Sequence, residues 1–113
     1  MKQQSGAIAE ATVAGHLTSL GYRIIDQNWR TPSCEIDIVA RKNKTMYFVE
    51  VKYRKTTQQG TGADYITASK IRQMKYAARL WVQLNNWQGE FQLLGASVEG
   101  DLSGLPELIE LVD

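Results

Sequence analysis

Cysteine is almost missing from this chain of 113 residues: Cys34 stands alone. No internal disulfide can form, which suits a reducing cytosol rather than a secreted scaffold. Histidine is equally scarce, with His16 alone in the first apolar segment. No second histidine or reactive cysteine is available to form a histidine-based metal or nucleophilic centre. His16 reads as structural, and Cys34 as a small strand residue rather than a reactive thiol. Apolar runs of signal-peptide or membrane-spanning length are also lacking, so no membrane partner is expected. There are no repeats and no low-complexity segments. The expectation is a single cytoplasmic domain over residues 1–113, long enough to bury one core without staples.

Net charge is also small, at +1, but it is unevenly spread. Residues 41–79 carry ten Lys or Arg against two acids, Glu50 and Asp64, whereas residues 86–113 carry six acids and no Lys or Arg. Such segregation suits a face that binds a polyanion. Arg54, Lys55, Lys70, Arg72, Lys75 and Arg79 are the candidate phosphate contacts, which set affinity rather than sequence preference. Tyr53, Tyr65 and Tyr76 are candidates to stack on splayed bases, the alternative being packing in the core or at its rim, which is the commoner use of Tyr at these spacings.

Hydrophobic spacing divides the chain into alternating elements. Val13, Leu17 and Leu20 mark the buried stripe of a helix over residues 6–20, with Ser5 as N-cap and Gly21 as its stop. Extending that stripe backwards reaches Ala9 and Glu10, so Glu10 points towards the protein, where an acid needs a partner. A strand over 22–29 leads to the turn at 31–33. Two further strands follow, over 34–40 and 45–54. Residues 55–64 are polar and Gly-containing and read as a loop. A second helix spans 67–84: Ile71, Met74, Ala78, Trp81 and Val82 form its apolar face, and Arg72, Lys75 and Arg79 share another. A strand over 90–98 precedes an acidic, leucine-containing tail (101–113), whose apolar part suits a closing strand or a short helix at a sheet edge. The order is α-β-β-β-α-β, an α/β sandwich around a mixed sheet.

The densest chemistry lies in the second and third strands. A two-residue loop at Asn43-Lys44 would pair positions whose numbers sum to 87, setting Asp37 opposite Glu50 and Glu35 opposite Lys52. Opposed like charges repel, so paired carboxylates make physical sense when a cation lies between them. Mg²⁺ or Mn²⁺ is the expected ion, since Mg²⁺ prefers oxygen ligands and often uses one or two carboxylates plus phosphate oxygens. Lys52, two residues from Glu50, falls on the same side of the strand. There it can position an attacking water or offset developing negative charge.

The stretches Asn28-Trp29-Arg30, Glu35-Ile36-Asp37-Ile38-Val39-Ala40 and Phe48-Val49-Glu50-Val51-Lys52-Tyr53-Arg54 resemble the YraN family of small bacterial proteins. The resemblance continues through Ile66-Thr67-x-x-Lys70 and Ala77-Ala78-x-x-Trp81, covering about residues 6–98. Two positions depart from it: Cys34 stands where Gly is usual, and Glu90-Phe91-Gln92 where an Arg-Phe-Asp pattern is usual. The resemblance implies a restriction-endonuclease-like, PD-(D/E)XK core close to that of archaeal Holliday-junction resolvases. It implies Mg²⁺-dependent DNA cleavage with Asp37 and Glu50 as metal ligands, Lys52 as base or stabiliser, and Glu10 as the helix acid completing the site. By analogy with resolvases alone, it extends to a homodimer and to branched DNA. A non-catalytic DNA-binding protein on the same fold is the alternative, and the tail offers a docking element for a protein partner.

Overall fold

The computed structural model describes residues 4–54, 66–100 and 104–112. Its elements run α1 (Gln4–Ser19), β1 (Arg23–Arg30), β2 (Glu35–Lys42), β3 (Thr45–Arg54), α2 (Ala68–Leu84), β4 (Glu90–Glu99) and β5 (Glu107–Leu111). The expected α/β order is present, and the tail adds a final strand. The loop expected at 55–64, with Lys55 and Tyr65, lies outside the described residues. No described helix is long and apolar enough to cross a membrane.

The five strands lie in sequence order in one sheet. β1, β2 and β3 pair antiparallel, β3 and β4 parallel, and β4 and β5 antiparallel. Parallel strands need a long crossover, and α2 supplies it. This mixed sheet between two helices is compatible with a restriction-endonuclease-like core.

Each helix covers one face of the sheet. Met74, Ala77, Ala78 and Trp81 of α2 pack with Val39, Met46, Phe48 and Leu93. Ala9, Val13 and Leu17 of α1, all fully buried, pack with Ile38, Val49, Leu94 and Val98. Alternate β3 residues therefore face opposite helices, as the two-residue period of a strand requires. The tail is a strand for the same reason. Ile109 and Leu111 join the α2-side cluster, whereas Leu108 joins the α1-side cluster. Five residues are too few for periodicity alone to separate strand from short helix.

Helix α1 begins at Gln4, so Ser5 lies inside it rather than capping it. Its other end is a Schellman turn: Tyr22 N–H donates to Leu17 O at 2.9 Å and Gly21 N–H to Thr18 O at 3.1 Å. Gly21 has φ +94°, a left-handed conformation that only glycine adopts without strain. α2 starts at its N-cap Thr67, whose side chain accepts from Lys70 N–H, and ends at Asn85. We expect Gly21→Ala to lower stability by about 1–2 kcal/mol, the left-handed cost for a residue with a Cβ. Urea denaturation measures it, and an unchanged midpoint would contradict this description of the helix end.

Candidate active site

The β2–β3 hairpin turns through Asn43, whose φ of +57° suits the tight two-residue turns that favour Asn and Gly. The ladder then runs Lys42↔Thr45, Arg41↔Met46, Ala40↔Tyr47, Val39↔Phe48 and Ile38↔Val49. Every pair sums to 87, and the ladder ends at Ile38↔Val49, one position short of Asp37 and Glu50.

Regular pairing stops there. Ile36 and Val39 pack towards α2 while Ile38 and Ala40 pack towards α1, so the alternation of β2 breaks around Asp37. On the other side, the β1–β2 ladder pairs Gln27↔Ile38 and Trp29↔Ile36, and between them Asn28 has φ +52°. Where β2 leaves β3, the Asp37 carboxylate takes over as acceptor: its Oδ2 receives the Val51 N–H at 2.8 Å. Asp37 is 7% exposed, fixed in the seam between the two strands.

Glu50 belongs to the α2 side with Met46 and Phe48. Its Oε2 lies 3.1 Å from Lys70 Nζ on the first turn of α2. Burial raises the Glu50 carboxyl above its ordinary range, the negative charge of Asp37 raises it next, and Glu35 adds to both. Lys70 pulls the other way without reversing the shift. The two strand carboxylates are thus close enough to feel each other in a half-buried setting. A perturbed acid beside a second acid is a physical mark of a functional site. Among the described residues no three His, Cys, Asp or Glu side chains form a ready-made metal cluster, so any ion here would rest on a two-carboxylate set.

The remaining candidates fall in different places. Lys52 is exposed and lies two residues along β3 on Glu50's side. Glu10 is buried at 4% exposure, entering from α1 on the opposite face of the sheet. Arg72 and Arg79 are exposed on α2, and Lys75 is half-buried beside them. With Tyr76 and Gln83 they line a shallow cavity of about 260 Å³. Arg54 is buried at 4% exposure, and its Nη2 has no hydrogen-bond partner among the described residues. Its burial separates it from the exposed basic surface. The Tyr53 hydroxyl donates to Gly100 O at 2.9 Å, and its ring packs on the α1-side cluster.

Two residues gain roles that spacing alone does not reveal. Glu35 lines the same groove as Glu50. Lys70, expected only as a phosphate contact, is the ion-pair partner of Glu50. A signal was present in the sequence: Lys70 is the third helical residue after the N-cap Thr67. That is where an acid or amide normally sits and where a cation opposes the helix dipole. A Lys that conflicts with its local position has a tertiary reason to be there.

Because the folded protein binds the Glu50 proton more tightly than the unfolded chain does, ionised Glu50 lowers stability. The penalty is absent below the ordinary value of 4.5 and grows as pH rises through the raised value. Glu50→Gln is therefore expected to raise the thermal midpoint at pH 7 by a few degrees. The gain should vanish as pH falls below 4.5. A variant less stable than wild type at pH 7 in scanning calorimetry would contradict this.

Comparison with known proteins places this arrangement in a family. The model of the family described as "Uncharacterised protein family UPF0102" matches residues 9–97. A UPF0102 protein of Mycobacterium tuberculosis is 37% identical over 114 aligned residues, covering 96% of this chain and 89% of the relative. A UPF0102 protein of Cytophaga hutchinsonii is 33% identical over 98 residues, covering 87% of each. Another, from a Sulfurihydrogenibium species, is 37% identical over 89 residues, covering 79% of this chain and 77% of the relative.

Proposed function

We propose that this chain, which belongs to Uncharacterised protein family UPF0102 (the YraN family), is a divalent-metal-dependent DNA endonuclease. The observation that carries the proposal is the pair Asp37 and Glu50, brought together where β2 and β3 part. The charge of buried Asp37 and the burial of Glu50 both make ionising Glu50 costly, an unfavourable resting arrangement that a dication would relieve. All the donors are oxygen, which suits Mg²⁺ or Mn²⁺; Mg²⁺ typically keeps several waters and takes one or two carboxylates.

In this reading Asp37 and Glu50 hold the ion. When bound, it supplies an activated water and charge stabilisation at the phosphate. Asp37 is pre-set by its bond to Val51 N–H, so little ordering remains when the site is filled. Lys52 is placed to orient the attacking water or to offset charge on the phosphate. Lys70 offsets part of the cost of ionising Glu50, and with an ion in its place it would be released to reach a phosphate oxygen. Arg72, Lys75 and Arg79 carry the strand past the site as backbone contacts. Glu10 remains the candidate helix acid, acting from the α1 side. Branched DNA as substrate and a homodimer as the working unit are extensions by analogy.

Purified protein with Mg²⁺ or Mn²⁺ is expected to cleave at least one of duplex, single-stranded and junction DNA, and EDTA should stop it. Asp37→Asn keeps an acceptor for the Val51 N–H but removes the charge. Cleavage should then fall about a hundredfold or more, as several kcal/mol of charge stabilisation disappear, with the thermal midpoint near wild type. Cleavage undiminished in Asp37→Asn would overturn the assignment.

The exposed basic surface of α2 supports a second reading, a non-catalytic DNA-binding protein. It would show steeply salt-dependent binding, untouched by EDTA or by Asp37→Asn, with no cleavage of any substrate.

A further inference from the structure

One groove lies between the β1–β2 turn and α2, with a volume of about 560 Å³. That falls within the range that encloses a single small ligand. Glu50 and Lys70, at the proposed reaction centre, form one part of its wall. Met74, largely buried, and half-buried Cys34 give it an apolar lining, and the Gln73 amide adds a group that can both donate and accept. Farther along α2 stands Tyr76, six residues beyond Lys70 and so about 9 Å along the helix axis.

Tyr76 stands apart from the other aromatic side chains. It is 54% exposed, and it is the one aromatic among the large exposed hydrophobic side chains of the described residues. Its hydroxyl lies 3.4 Å from Ser33 Oγ on the β1–β2 turn, a long contact that orients the ring only weakly. An exposed ring in a groove that begins at the reaction centre is a stacking platform. Bases of any identity stack on such a ring.

We propose that this groove receives one unpaired nucleotide of a DNA strand, the neighbour of the phosphate to be cleaved, with its base stacked on Tyr76. The inference rests on the endonuclease reading and adds a substrate preference to it. In a continuous duplex each base is stacked on both faces and paired at its edge. It reaches the groove only by leaving the helix, at a cost of a few kcal/mol, least where the base is already unpaired. The groove therefore selects flaps, gaps or branch points over uniform duplex.

The test is fluorescence titration in EDTA, so that no cleavage intervenes, with a single-stranded oligonucleotide carrying one 2-aminopurine. A fully paired duplex of the same sequence, followed by anisotropy, serves as the comparison. Wild type is expected to bind the single strand and quench the probe. Tyr76→Phe should do the same, since it keeps the ring and loses only the bond to Ser33. Tyr76→Ala should weaken single-strand binding about tenfold and abolish quenching, while duplex affinity changes less than twofold. If Tyr76→Ala leaves single-strand binding and quenching unchanged, or weakens duplex binding equally, the inference fails while the nuclease reading stands. If binding depends on Tyr76 but no metal restores cleavage, the subsite stands and the catalytic reading fails. Absence of binding by wild type overturns the inference outright.

Discussion

The acceptance of the Val51 N–H by Asp37 fixes the geometry on which the rest of the site depends. A carboxylate in a seam between two strands would ordinarily turn to water, and the strands would close behind it. Here the side chain replaces a ladder acceptor at the point where β2 departs from β3. The strands can then diverge without leaving a buried donor unsatisfied. Glu50 faces α2 by the alternation of β3, and Lys70 meets it there. One hydrogen bond thus places one acid at the point where the β2–β3 ladder ends, with the other acid one position along β3.

The surrounding architecture holds this opening steady. α1 and α2 each bury one face of the sheet, and the β3–β4 ladder is paired along the full length of both strands. Glu50 and Lys52 therefore stand on a strand fixed from both faces and one edge, which gives the precision a reacting group requires. Burial that raises the Glu50 carboxyl is a cost borne at the site and offset by the core elsewhere. Such local conflicts are characteristic of positions retained for chemistry.

Much of this was legible in the residues. The hairpin register followed from two features, a two-residue turn at Asn43-Lys44 and strict alternation in β3, and it holds from Lys42↔Thr45 to Ile38↔Val49, ending one position short of the expected Asp37–Glu50 pair. The helices were legible from their apolar periods and, for α2, from Thr67 and Asn85 at its ends, although Leu20, expected in the buried stripe of α1, lies past the helix and is exposed. The break in β2 was not legible, because Ile36, Asp37 and Ile38 read as an unbroken strand and nothing in their order marks where the alternation changes. The pairing of Lys70 with Glu50 joins residues twenty positions apart through tertiary packing. The burial of Arg54 inverts what its charge suggested, since composition reports charge without depth. The short tail offered too few residues to choose between strand and helix until its partner β4 was seen.

The central claim is that Asp37 and Glu50 form one site for a divalent ion. Its most direct test is anomalous diffraction from a manganese-soaked crystal. The account predicts a single strong peak between these two carboxylates, with the Lys70 ammonium withdrawn from Glu50. A map with no peak there and the Glu50–Lys70 ion pair intact would contradict it.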